Sequence, residues 1–323
     1  MEHGADINKE YKNNETVLFM ACKSGNKDLV EYLVEHGLDI NQKNKRGETP
    51  LFDACKSGNK DLVKCMVEHG ADINKENNNG ETPLFYACKK KSGNKDLVEC
   101  LVKHGADINK ENNRGETVLF MACKGINKDL VEYLVEHGAD INKENKMGET
   151  PLSIACRMKN NNLIKYSVEY GLDINKENWR GETPLFDAYR RENNDLIEYL
   201  VEHGADINKK YRNNETVLFM ACKSGNKDLV EYLVEHGLDI NRKNKNNETV
   251  LFNACFIGNK DLVEYLVEHG LDINQKNNRG KTPLFDACKS GNKDLVEYLV
   301  EHGANKNKAY NEVLNVFKIR NNR

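Results

Sequence analysis

The sequence predicts an all-α fold: a solenoid of about nine helix-turn-helix repeats with short β-hairpin-like fingers between them. Three observations carry this. The histidines His3, His36, His69, His104, His137, His203, His236, His269 and His302 recur at steps of 33 residues. Tyr170 fills the one missing beat, and a single step of 35, from His69 to His104, contains the lysine run Lys89–Lys91 where other copies have one lysine. All five prolines (Pro50, Pro83, Pro151, Pro184, Pro283) fall in one slot behind a Thr, and Val takes that slot in the other four copies. Finally, the 323 residues are only 38% hydrophobic, with a mean hydropathy of −0.75. That is too polar for one large globule at a length where single cores stop growing.

The unit is read most easily in Asn44–Asn74, NKRGETPLFDACKSGNKDLVKCMVEHGADIN. Thr49-Pro50 is a helix start, with Thr49 as N-cap and Pro50 at the first helical position, where a missing N–H is harmless. The first helix is expected to run to about Ser57 and break at Gly58-Asn59. Asn59 can cap a second helix, and Asp61 in its first turn suits the positive end of the helix dipole. Leu62, Val63, Met66 and Val67 recur at helical spacing as one apolar stripe. Gly70 ends that helix in a left-handed conformation. The polar segment Asn74–Gly80 is a finger, with Gly80, or Asn14, Asn214 and Asn247 in equivalent slots, suited to positive φ in a tight turn.

The 33-residue period with G-x-T-P-L-x-x-A…G-A-D-I-N resembles the ankyrin repeat and covers more than nine-tenths of the chain. Copies one to nine are expected at residues 11–43, 44–76, 77–111, 112–144, 145–177, 178–210, 211–243, 244–276 and 277–309. Residues 1–10 read as the end of a preceding unit, so the chain is either an excerpt of a longer array or begins mid-repeat. Residues 310–323 read as a C-terminal cap and tail, with a helix over Asn311–Ile319. One departure is systematic: the family's His after T-P-L is Phe here (Phe52, Phe85, Phe186, Phe285). In the family that His is associated with hydrogen bonds between adjacent repeats, which Phe must replace by apolar packing. The resemblance implies paired antiparallel helices, with first helices and fingers lining a concave face and second helices forming the back.

Composition excludes several functions. There are 48 Lys and Arg against 51 Asp and Glu, which gives no bulk drive toward nucleic acid or membrane. The longest apolar run, Val118–Cys123, is far short of the ~20 residues that span a bilayer, and MEHGADINKE lacks the features of a secretory signal. A column of His at the ~8–10 Å spacing of stacked helices cannot converge on one metal ion at ~2 Å. The same spacing denies disulfides to the cysteines, whose Cα atoms would need to lie within ~7 Å. Ten Cys in such positions indicate buried thiols kept reduced in an intracellular protein, in cytoplasm or nucleus. No nucleophile–base constellation or phosphate loop is present. The expectation is a non-enzyme with no cofactor, metal, small-molecule substrate or membrane contact, acting as a monomer.

What remains is binding. The segments Asn13–Asn41 and Asn213–Asn241 are identical, so their residues serve the scaffold, and departures mark free positions. The fifth and sixth copies depart most. Their Met147, Met158, Trp179, Arg180, Arg190 and Arg191 are of types enriched at interface hot spots and form a candidate partner-binding patch. Tyr86 and Phe256 are candidate extensions. The competing reading is drift in a decaying repeat, with the aromatics tucked against the next finger. The primary expectation is a protein–protein interaction scaffold. The alternatives are the substrate-recruiting part of a larger multidomain protein, or a binder of polyanions, including nucleic acid, through Lys/Arg-rich fingers. The absence of aromatics interleaved with the basic positions disfavours nucleic acid.

Overall fold

The computed structural model describes residues 7–89, 94–158 and 161–306. Among these residues are eighteen α-helices and no β-strand. The expected capping helix Asn311–Ile319, the start Met1–Gly4 and most of the lysine run fall outside them. The chain divides into two compact units, 1–179 and 180–323, each a stack of helix pairs.

In the first unit the first helices are Val17–Ser24, Pro50–Ser57, Pro83–Cys88, Val118–Lys124 and Pro151–Arg157. Their partners are Lys27–Glu35, Lys60–Glu68, Lys95–Lys103, Lys128–Glu136 and Asn161–Glu169. The second unit repeats the pattern with Pro184–Arg190, Val217–Ser224, Val250–Ile257 and Pro283–Ser290 against Asn194–Glu202, Lys227–Glu235, Lys260–Glu268 and Lys293–Glu301. Asn59 caps the second helix of its copy, accepting from Leu62 N–H at 3.1 Å. Gly58 and Gly70 take the left-handed conformation at φ 82° and 88°. The inner face of that helix is Leu62, Val63, Cys65 and Met66, whereas Val67 is half-buried.

The Thr caps work differently from the sequence expectation. Thr49 sits at the N-cap position in extended conformation, yet its side chain makes no capping bond. The hydroxyls of Thr16, Thr49, Thr82, Thr183, Thr216, Thr249 and Thr282 are buried with no hydrogen-bond partner. The Phe52 N–H, the backbone donor a capping hydroxyl would take, goes to the Thr49 carbonyl instead, at 3.0 Å. The fifth copy differs. There Ser153 replaces Phe, and Thr150 and Ser153 close a capping box.

Phe packing does replace part of the inter-repeat adhesion: Phe52, Phe85 and Phe186 are fully buried. The polar part is supplied by asparagines. Asn41 Nδ2 donates to the Gly70 carbonyl of the next copy at 3.0 Å, and its Oδ1 accepts from Asp72 N–H at 2.7 Å. Asn74 and Asn109 repeat this clasp toward Gly105 and Gly138. Within the second unit Asn274 does the same toward Gly303 and Asn305. The helix-capping Asn59 doubles as a tie, its Nδ2 donating to Gly25 O at 2.9 Å, and Asn259 bonds Gly225 O likewise at 3.2 Å.

The fingers are hairpin-like through turns rather than strands. Asn44 N–H bonds Glu48 O at 2.9 Å and Gly47 N–H bonds Asn44 O at 2.9 Å. Successive fingers are pinned to one another, as Asn78 N–H to Arg46 O at 2.9 Å and Asn278 N–H to Asn246 O at 2.9 Å. The approach is close, and the turn residue takes a positive φ, as Gly in most copies and as Asn14, Asn214 and Asn247 in the others. A Cβ on Gly148, at φ 69°, would stand 3.0 Å from the backbone nitrogen of Trp179.

Candidate partner-binding surface

Fingertips and first-helix ends carry the residues in question. At the fingertips of most copies the two tip positions are filled by Asn, Lys or Arg. In the first unit they become Met147 on one finger and Trp179 on the next, joined through Trp179 N–H to Met147 O at 3.0 Å. Met147 is 43% exposed and Trp179 64% exposed. More than half of the Trp179 surface is thus open to solvent. Met158, at a first-helix end of the same unit, is also exposed.

The remaining patch residues, Arg180, Arg190 and Arg191, belong to the second unit. Arg180 and Arg191 are exposed. Arg190 is engaged within the chain: its guanidinium pairs with Glu182 and reaches the hydroxyl of Tyr211, which itself donates to Glu182. Tyr86 is engaged too. Its hydroxyl donates to Glu48 of the preceding copy at 2.7 Å, its ring meets Phe52 edge-on, and Lys56 and Lys89 lie over its faces. Both were legible as departures, but their partners lie 8 and 38 residues away, beyond what local pattern reveals. Phe256, by contrast, is 61% exposed.

Arg190 is one member of a recurrent pair that the sequence reading missed. In the first seven copies a Lys or Arg at the end of the first helix stands eight residues after the Glu at the base of the finger. The pair closes as Lys23–Glu15 at 2.7 Å, Lys56–Glu48 at 3.1 Å, Lys89–Glu81 at 2.8 Å, Lys124–Glu116 at 2.8 Å and Arg157–Glu149 at 2.5 Å. In the second unit it closes as Arg190–Glu182 and Lys223–Glu215. The Glu partner is largely buried. Burial raises the pKa of Glu48, but hydrogen bonds from Tyr86 and Lys56 outweigh it and hold the carboxyl below its usual range. Glu149 is held low in the same way through Arg157 and Asn145. These cations are thus consumed internally.

The sixth and seventh copies meet around another departure. Tyr189 takes the slot of Cys in the other copies, and its hydroxyl donates to Met220 O at 2.6 Å and reaches Ser224 Oγ at 3.1 Å. Glu192 is forced to φ 53° where Gly225 and Gly258 stand in later copies. A cleft of about 450 Å³ opens there, lined by Tyr189, Arg190, Glu192, Asn194, Ser224 and Asn226.

The histidines and cysteines are accounted for locally. Among the described residues no group of His, Cys, Asp and Glu is placed to hold a metal ion. His36 donates its Nδ1 proton to Tyr32 O at 2.7 Å and stacks on that ring at 4.0 Å, a local helix-end bond repeated at His137, His203 and His236. All ten cysteines are buried thiols. Burial pushes Cys123 up to about 12 and Cys65 and Cys288 up to about 11, which removes the thiolate that nucleophilic chemistry needs. Among the described residues no helix is long and apolar enough to cross a membrane.

The stacked helix pairs, glycine-ended second helices and pinned fingers define a repeat protein. The family model "Ankyrin repeats (3 copies)" matches residues 1–77, 36–112, 58–145, 90–178, 127–211, 172–244 and 218–310. The chain belongs to the ankyrin repeat family. No curated protein sequence matches it at a significant level. Proteins of this family are in general modules for binding other proteins.

Proposed function

We propose that this chain is a non-catalytic scaffold that takes another protein on its fingertips and first-helix ends, with Trp179 and Met147 as the anchoring side chains. The observation that carries the reading is Trp179 itself: the only tryptophan of the chain, 64% exposed, at a fingertip whose counterparts are polar. Large aromatics in an otherwise polar surface are the residues on which binding energy concentrates. A polyanion is the weaker candidate, because seven first-helix cations are already matched by Glu and counterion release requires cations left for phosphate.

The test is affinity capture with wild type, Trp179→Ala and the double variant Trp179→Ala/Met147→Ala, each checked by thermal melting. Both side chains are exposed, so melting should stay within about 0.5 kcal/mol of wild type. A partner retained by wild type should fall at least ~30-fold in the double variant, as expected for ~2 kcal/mol of anchor energy. Equal recovery of every partner by all three proteins would overturn the anchor.

A further inference from the structure

The Glu-to-cation pair that closes in the first seven copies fails in the last two, and it fails in complementary ways. In the eighth copy Glu248 keeps its place, but the residue eight positions on is Phe256. Glu248 is satisfied by amides instead, accepting from Asn277 at 2.8 Å and Asn244 at 3.1 Å. In the ninth copy the first-helix cation, Lys289, is retained, but the finger-base Glu has become Lys281. Two ammonium groups now occupy the place of one ion pair. Neither is within ion-pair distance of a carboxylate among the described residues. Both stand over the ring of Phe285, Lys281 at 3.9 Å and Lys289 at 4.7 Å from its centre.

These lysines line a groove of about 180 Å³ together with Arg279, Asp286, Glu248 and Asn278. Three cations therefore face two carboxylates, one of which, Glu248, is already held by amides. The other, Asp286, is raised above its usual range mainly by burial, against the pull of Lys289 and Lys281. The groove between the third and fourth copies is larger, about 350 Å³, but is lined from equivalent positions, among them Asn79, Glu81, Lys89, Asn113, Glu116 and Lys124. There each lysine is closed on its own Glu at 2.8 Å. The ninth copy thus presents the same cradle with the carboxylate removed and a cation put in its place.

We infer that the groove at Lys281 and Lys289 is a docking site for an acidic segment of another protein, whose Asp or Glu carboxylate takes the position that the chain's own Glu takes in the first seven copies. The neighbouring first-helix end supports a peptide over a nucleic acid. Phe256, 61% exposed, and the exposed Ile257 beside it present apolar surface one copy away. A phosphate backbone would want further cations along its track, whereas an acidic residue followed by an apolar one fits a cation pair beside a Phe. The inference does not involve Trp179 and survives if that anchor fails.

The test uses substitutions that return the site to the chain's own repeat pattern, so folding is not at stake. Lys281→Glu recreates the finger-base carboxylate opposite Lys289, and Phe256→Lys recreates the cation opposite Glu248. The full chain is titrated against a fluorescein-labelled peptide with a Glu-Glu-Leu-Phe core, read by anisotropy, with an oligothymidylate of equal length as competitor. Lys281→Glu should weaken peptide binding about tenfold and leave melting unchanged or raised, since a carboxylate both fills and repels. Phe256→Lys should weaken it about threefold. No binding by wild type, undiminished binding by Lys281→Glu, or oligothymidylate binding as tight as the peptide's would each overturn the proposal.

Discussion

Residues 13–41 and 213–241 have the same sequence in two settings. Their local structure is the same as well. Helices run Val17–Ser24 and Lys27–Glu35 in one and Val217–Ser224 and Lys227–Glu235 in the other. Gly25 and Gly225 stand at φ 71° and 73°, and Asn26 and Asn226 each cap a second helix at 3.1 Å. Burial is where they part. Leu29 is 42% exposed and Leu229 is 4% exposed. The seventh copy has the sixth against it: Tyr189 donates to Met220 O and Tyr232 donates to Glu198 O at 3.3 Å. The lesson is that the 33-residue unit writes its own helices, caps and turns, while its core is finished by its neighbour, as expected when stability divides into repeat and interface terms.

That division can be broken at three points. The largest effect is expected at the leucines: Leu229→Ala should cost about 2–4 kcal/mol by emptying a packed site, while Leu29→Ala should cost under about 1 kcal/mol. Denaturant titrations of the two variants decide it, and equal losses would mean that burial in the two copies is alike. The caps should behave in the opposite manner. Asn26→Ala and Asn226→Ala each remove the same local bond and should each cost about 1 kcal/mol; a difference above that size would show that capping is not local. The smallest effect falls on the tyrosines. Tyr232→Phe removes an inter-copy hydrogen bond and should cost about 0.5 kcal/mol, whereas Tyr32→Phe should be neutral, a contrast that hydrogen exchange at the second helices can resolve.

The thiols test the interior as a whole. Burial raises the pKa of Cys55, Cys88 and Cys222, as of Cys65, so a thiol reagent at neutral pH should react only as fast as the repeats open. Rapid labelling of the native protein would contradict a core closed around that column.

Much of this was legible in the residues because it is encoded residue by residue. Asn59 and Gly58 mark a cap and a break through their own backbone preferences, and a period of 33 announces the stack. The failures are equally specific. Thr49-Pro50 reads as a capping signal, and Thr49 does take the N-cap position, but the Phe52 N–H bonds its carbonyl rather than its hydroxyl. Asn41 reads as loop polarity, yet it clasps the next copy through contacts some thirty residues away. In the candidate site Met147 and Trp179 stand out by type and are exposed. Arg190 and Tyr86 stand out equally and are bound into the chain, because their partners Glu182 and Glu48 are chosen by the fold. The pair of defects at Phe256 and Lys281 is visible in the sequence only once the Glu-to-cation rule is known, and that rule came from the structure.

The central claim is that the scaffold positions are common to all copies and that partner binding lies at the departures. A photoreactive benzoylphenylalanine tests it directly when placed at Met147 and, as internal control, at Asn79, the same fingertip slot in a regular copy. The account predicts a discrete cross-linked protein from position 147, lost on adding Trp179→Ala, and none from position 79. The same cross-linked species from both positions, or one from 147 that persists without Trp179, would contradict it.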